Sequence, residues 1–158
     1  MRRPAQIFSK ASSGVDYMVK PEKVEQQLRN LKDYTCKLLL LASIDKNAFL
    51  ADFTKASSAK YLLLESIEAC LDIANHIISS EKYRTPKDYA DMFAVLVENN
   101  VISGDFLEPL TKMAKFRNRL VHIYWDVSDE TIYHLLKKNL GDFDNFARQI
   151  LSFLQKSR

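Results

Sequence analysis

The run Arg117-Asn118-Arg119-Leu120-Val121-His122-Ile123-Tyr124 places a permanent cation, an amide, an imidazole and a phenol close together along the chain. Arginine can contact two phosphate oxygens at once. Imidazole is the side chain whose ordinary titration range lies near neutral pH. Arg117 and His122 together could therefore bind a phosphodiester and move its protons. Asn118 precedes His122 by four residues, which on a helix puts both on one face, so its amide can orient the imidazole. Between Glu108 and Asp126 there is no acidic side chain, while Lys112, Lys115, Arg117 and Arg119 are all cationic. Such a segment attracts polyanions, nucleic acids among them, with Lys112, Lys115 and Arg119 as the contacts; the plainer reading is a solvated helix face.

The position of Arg117 is itself a signal. On an ideal helix Phe106, Leu110, Met113, Leu120, Val121 and Tyr124 cluster on one side, and Arg117 falls in the middle of that stripe. A cation where the period calls for an apolar residue marks a functional or strained position. The structural alternative is a buried ion pair, with Glu65 or Glu68 as the partner. Arg117 and His122 lie about 140° apart on an undistorted helix, so one copy does not automatically bring them together. A site shared across a homodimer, where one patch meets itself, resolves this. His76 and His134 lack comparable neighbours and are read as structural, and Tyr124 on the apolar stripe can equally be a core residue.

The elements that must hold these groups are helical. Pro21 suits a first helical position, and Val24, Leu28, Leu31, Tyr34, Thr35 and Leu38 follow at helical spacing, ending near residues 43–45. A short turn over 46–51 leads to a long helix over about 55–81, with Leu63, Ile67, Leu71, Ala74 and Ile78 inside. Thr85-Pro86-Lys87-Asp88 reads as a helix start with Thr85 as the cap, running to about Asn99. Ser103 caps a fourth helix that reaches Tyr124, and Ser128 caps a fifth segment, which residues 139–141 separate from a last helix. No strand pattern competes, so the fold class is all-α, an antiparallel helical bundle.

Composition sets the frame. With 158 residues, 47% hydrophobic and 27% charged, the chain suits one domain with its own core. The net charge of +3 belongs to residues 1–20, where Arg2, Arg3, Lys10 and Lys20 face Asp16. A flexible basic arm over 1–20 is expected, then a helical domain over 21–158. The domain is neutral overall, so only a local argument for nucleic-acid binding survives. Cys36 and Cys70 have no ligand spacing and read as buried apolar thiols, with no metal site expected. The longest apolar run, Leu38-Leu39-Leu40-Leu41-Ala42, cannot span a bilayer, and no apolar stretch follows Arg2 and Arg3. A cytoplasmic protein without membrane association is expected.

The order Met113 to Val127 around Arg117, His122 and Tyr124 resembles the HepT-like toxins of the HEPN superfamily. Supporting positions are Ile67-Glu68-Ala69, Leu71 to Ile78, Pro86, Tyr89, Phe93, Leu96, Val101-Ile102, Asp142, Phe143 and Phe146, so the resemblance spans roughly 21–156. It implies a HEPN-like homodimer acting as a metal-independent endoribonuclease toxin. Arg117 and His122 would then be catalytic, with Asn118 in support, at a cleft between two copies. It further implies an antitoxin partner, a minimal MntA-like nucleotidyltransferase, that transfers AMP from ATP to Tyr124 and silences the toxin. ATP would enter only as that partner's AMP donor, and the chain itself would need no cofactor. The competing reading is a non-catalytic HEPN module that docks a nucleotidyltransferase or its substrate.

Overall fold

The computed structural model describes residues 19–157. The expected basic arm therefore falls, but for its last two residues, outside the described residues. Seven α-helices follow one another: α1 (Pro21–Ala42), α2 (Lys46–Ala51), α3 (Phe53–Ser80), α4 (Tyr89–Glu98), α5 (Leu107–His122), α6 (Asp129–Lys138) and α7 (Gly141–Lys156). Short 3₁₀ turns occupy Gly104–Phe106 and Tyr124–Asp126, and no strand occurs among the described residues.

The ends of these helices follow from side chains that take up orphan backbone groups. The Asp45 carboxylate accepts the Asn47 N–H at 3.1 Å, and Asp52 accepts the Thr54 N–H at 3.0 Å, so α2 and α3 start one after the other. Ser128 accepts the Thr131 N–H and starts α6, as expected. Helices α3 and α4 close on residues with positive φ, Lys82 at 56° and Asn100 at 58°. In each case the next residue's N–H reaches back into the helix: Tyr83 to the Ile78 carbonyl at 3.0 Å, Val101 to that of Leu96 at 2.9 Å.

Helix α3 is the central element and packs against all six other helices, most extensively α1. The α1–α3 pairing is antiparallel: the Lys20 N–H donates to His76 Nε2 and Gln27 Nε2 donates to Asp72 Oδ2, numbers rising on one side as they fall on the other. The expected inner face of α3 (Leu63, Ile67, Leu71, Ala74, Ile78) is buried throughout. Phe93 of α4 and Phe146 of α7 meet edge to face with ring centres 6.0 Å apart. The Tyr133 hydroxyl, beside Phe49, donates to the Ile44 carbonyl at 2.8 Å and ties α6 to the end of α1.

Four sequence expectations are corrected. Helix α4 starts at Tyr89 with Asp88 as its cap, not at Pro86 with Thr85. The Asp91 carboxylate accepts the Lys87 N–H and both ends of the Arg84 guanidinium, while Arg84 also donates to Glu98; this network straps residues 84–88 across the helix start. Helix α5 starts after a 3₁₀ turn, at Leu107; Ser103 makes no side-chain cap and instead donates its N–H to Gln149. The same helix stops at His122, because Ile123 (φ −135°, ψ 48°) breaks it, so Tyr124 is exposed rather than in the core; Val121, within the helix, is exposed too. Cys36 is exposed on the outer side of α1, whereas Cys70 is buried and its thiol pKa is pushed up by desolvation.

Candidate active site

Three helices position Arg117, which is only 5% exposed. Its Nε donates to Glu68 Oε1 of α3 at 2.6 Å, and its guanidinium carbon lies 4.5 Å from the ring centre of Tyr89, the first residue of α4. Its Nη1 donates to Asn118 Oδ1 at 3.3 Å on α5 itself. The ion-pair alternative weighed for Arg117 is thus realised, with Glu68 and not Glu65. A buried guanidinium needs such a partner, since an unpaired charge away from water is very unfavourable. The pair is not sealed: the Glu68 side chain is 35% exposed, so one edge of the assembly opens to solvent.

His122 is the last residue of α5 and is exposed. Among the described residues no hydrogen bond or ion pair holds the ring, and the Asn118 oxygen expected to orient it is engaged by Arg117 instead. One chain therefore brings Arg117 and Asn118 together and leaves His122 hydrogen-bonded to neither.

Tyr124 stands on the 3₁₀ turn just beyond, 44% exposed. Its ring lies against Lys60 of α3, with Nζ 4.5 Å from the ring centre. Lys60 is itself buried and reaches the Asp129 carboxylate at 3.4 Å. Neither Lys60 nor the Tyr89 contact was foreseen from the sequence. Helical period marks a residue as inward but does not say which distant helix it meets, so no local signal would have found them. Around Tyr124, Val121, Ile123 and Trp125 are exposed, Trp125 by 81%, with Phe53 and Tyr61 of α3 also uncovered. Exposed apolar residues mark contact surfaces where they form one patch.

The cationic residues behave unequally. Lys112 pairs with Glu108 at 3.2 Å and Arg119 with Asp126 at 3.7 Å, the two acids that bound the segment. Lys115 is exposed and has no acidic partner among the described residues. Surface pairs of this kind are weak, about 0–1 kcal/mol, and a phosphate can displace them.

Residues 24–150 match the family described as ribonuclease HepT-like. The chain is 35% identical over 102 residues to the mRNA nuclease HepT of Shewanella oneidensis, covering 65% of this chain and 77% of that one. It is 25% identical over 138 residues to the tRNA nuclease HepT of Aphanizomenon flos-aquae, covering 86% and 92%. A solved structure of a tri-AMPylated Shewanella oneidensis HEPN toxin in complex with an MNT antitoxin superposes with a TM-score of 0.74 at 30% identity, covering 82% of this chain and 96% of that one.

Proposed function

The chain belongs to the ribonuclease HepT-like family, and from that membership we propose that it is the toxin of a toxin–antitoxin pair, a metal-independent endoribonuclease that works as a homodimer in the cytoplasm. Two copies meet through the uncovered surface around Val121, Ile123 and Trp125. Arg117 of one copy and His122 of the other then address the same phosphate. His122 takes the proton of the RNA 2′-hydroxyl; the 2′ oxygen bonds to phosphorus, the bond to the 5′ oxygen breaks, and that oxygen takes a proton from solvent, to which His122 then releases the one it holds. Arg117, held by Glu68, Asn118 and Tyr89, faces the phosphate oxygens and stabilises the charge that builds on them. Lys112, Lys115 and Arg119 hold the strand on either side. The chain needs no cofactor for this.

Silencing is by a cognate MntA-like nucleotidyltransferase that moves AMP from ATP to Tyr124. The added phosphate and base beside Lys60 and Arg119 would repel RNA and block the site. The observation that carries the reading is the position of the two residues that must be reached. His122 and Tyr124 are both exposed at the end of α5, although helical period alone would have placed Tyr124 in the core.

One observation favours the alternative, a non-catalytic docking module: Arg117 is buried and already paired. The deciding experiment is incubation of purified protein with a defined RNA in chelator, beside His122→Ala, followed by identification of the ends. A 2′,3′-cyclic phosphate and a 5′-hydroxyl, lost in the variant, support the nuclease. Intact RNA with both proteins supports the docking module.

A further inference from the structure

On the side of α5 away from Arg117 lies an open groove of about 330 Å³ between α3, α5, α6 and α7. Its walls are Leu63, Ile67, Met113, Phe116, Leu135 and Phe143. The volume falls within the range of small-molecule sites, roughly 300–1,000 Å³, and suits one nucleobase with part of its sugar. Phe116 is half-buried, with the buried Phe143 also lining the slot, and a partly open ring in an apolar slot is a surface on which an unpaired base stacks.

The rim is polar and divided. Lys112, Lys115 and Arg119 stand along α5, with Asn139, just past α6, and Asp142, at the start of α7, also on the rim. Lys112, Lys115, Arg119 and His122 fall within a sector of about 80° on an ideal helix, and Lys112 and His122 are about 15 Å apart along its axis. That is a row of cations leading from the groove to the imidazole, on the order of two to three nucleotides long.

Asp142 supplies the selectivity. It is half-buried at the groove's lip beside Asn139, no ion pair holds it among the described residues, and Asp105, Glu108 and Lys112 line the same edge. Desolvation raises its pKa, though an Asn139 hydrogen bond opposes this. A partly desolvated carboxylate without a cation is satisfied by paired N–H donors. Guanine presents two adjacent donors on its Watson–Crick edge, N1–H and the N2 amine. Adenine and cytosine place an acceptor nitrogen there, and uracil offers a single N–H between two carbonyls. The Asn139 amide can donate to guanine O6.

We propose that this groove is a guanine subsite, seating a base of the RNA two to three nucleotides from the phosphate that His122 addresses. The place along the strand rests on the ribonuclease reading; the recognition of guanine does not.

The test has two arms on the full chain. In the first, binding of 5′-GMP, 5′-IMP and 5′-AMP is titrated by calorimetry. GMP should bind tightest, with IMP, which lacks the N2 amine, and AMP each weaker by about tenfold or more. Asp142→Asn should remove that preference. Leu135→Trp, which fills the groove from α6 without touching Asp142, should block GMP altogether; thermal melts verify that both variants fold. In the second arm, a single guanine is moved stepwise along a defined single-stranded RNA. The cut should follow it at fixed spacing, and Asp142→Asn should cut without that register. Equal binding of GMP and AMP, or GMP binding unchanged in Asp142→Asn, overturns the guanine site whether or not RNA is cut. Selective GMP binding with no RNA cleaved supports the guanine site and overturns the ribonuclease reading instead.

Discussion

Arg117 and His122 differ in what their loss should do to the protein, and the difference separates chemistry from folding. Removing Arg117 strips the partner from Glu68 and the cation from the Tyr89 face. Arg117→Ala should therefore destabilise the fold, by about 1–3 kcal/mol once the 35% exposure of Glu68 is allowed for, as well as abolish cleavage. His122 is exposed and unbonded among the described residues, so His122→Ala should leave the melting midpoint within experimental scatter. It should still lower RNA cleavage by about 10²–10⁴-fold. A urea melt beside a cleavage assay reads both, and an unstable but active His122→Ala would reverse the assignment. For Tyr124 the expected outcome is a split phenotype. Tyr124→Phe keeps the ring against Lys60 and loses only the hydroxyl, so toxicity on expression persists while the nucleotidyltransferase no longer relieves it. Relief of that variant through modification would show that another residue carries the AMP. Arg117 was legible in the sequence because it interrupts an apolar period, and Glu68 stood among its two candidate partners. The exposure of Tyr124 was not legible, because it depends on the backbone angles of Ile123, which no side-chain pattern announces.

At the scale of elements, the junction between α1 and α3 carries a pH dependence. His76 Nε2 accepts the Lys20 N–H at 3.1 Å, just before α1 begins, and so must be unprotonated there. Burial pushes the His76 pKa down, helped by Lys23 and Lys20, with Glu22 opposing. A folded pKa below the unfolded one means that this stability is present above about 6.5 and is lost as pH falls through the lowered value. Urea midpoints measured from pH 7 to pH 5 should fall for the wild type and flatten for His76→Gln. An equal fall in both would place the sensitivity elsewhere. The residue itself read as structural from the sequence, correctly, but its partner could not be read, because an antiparallel pairing joins positions far apart in the chain. The helices themselves were legible where apolar spacing is long and regular, as in α1 and α3. The start of α4 was missed for the opposite reason: Thr85-Pro86 is a good local start, and an ion network of Arg84, Asp91 and Glu98 outweighs it. Arg84 holds the Asp91 carboxylate well below its usual range and lowers that of Glu98.

For the whole molecule, the governing fact is that one chain buries the Arg117 cation and exposes the His122 imidazole on the same helix, with Trp125 exposed just beyond it. The +3 charge lies in residues 1–20, so attraction to RNA must come from where the α5 cations are displayed rather than from overall charge. In the proposed homodimer a second copy supplies the group that each site lacks. Co-expression of differently tagged Arg117→Ala and His122→Ala chains tests this most directly, with RNA cleavage assayed in chelator on the mixed dimers and on each variant alone. A mixed dimer built on shared sites contains one site with both groups intact and one with neither. Unfractionated random pairs should therefore recover about a quarter of wild-type cleavage, from two parents that are each inactive. Mixed dimers that form, as tag co-purification would show, and yet cut no faster than either parent would contradict the shared site.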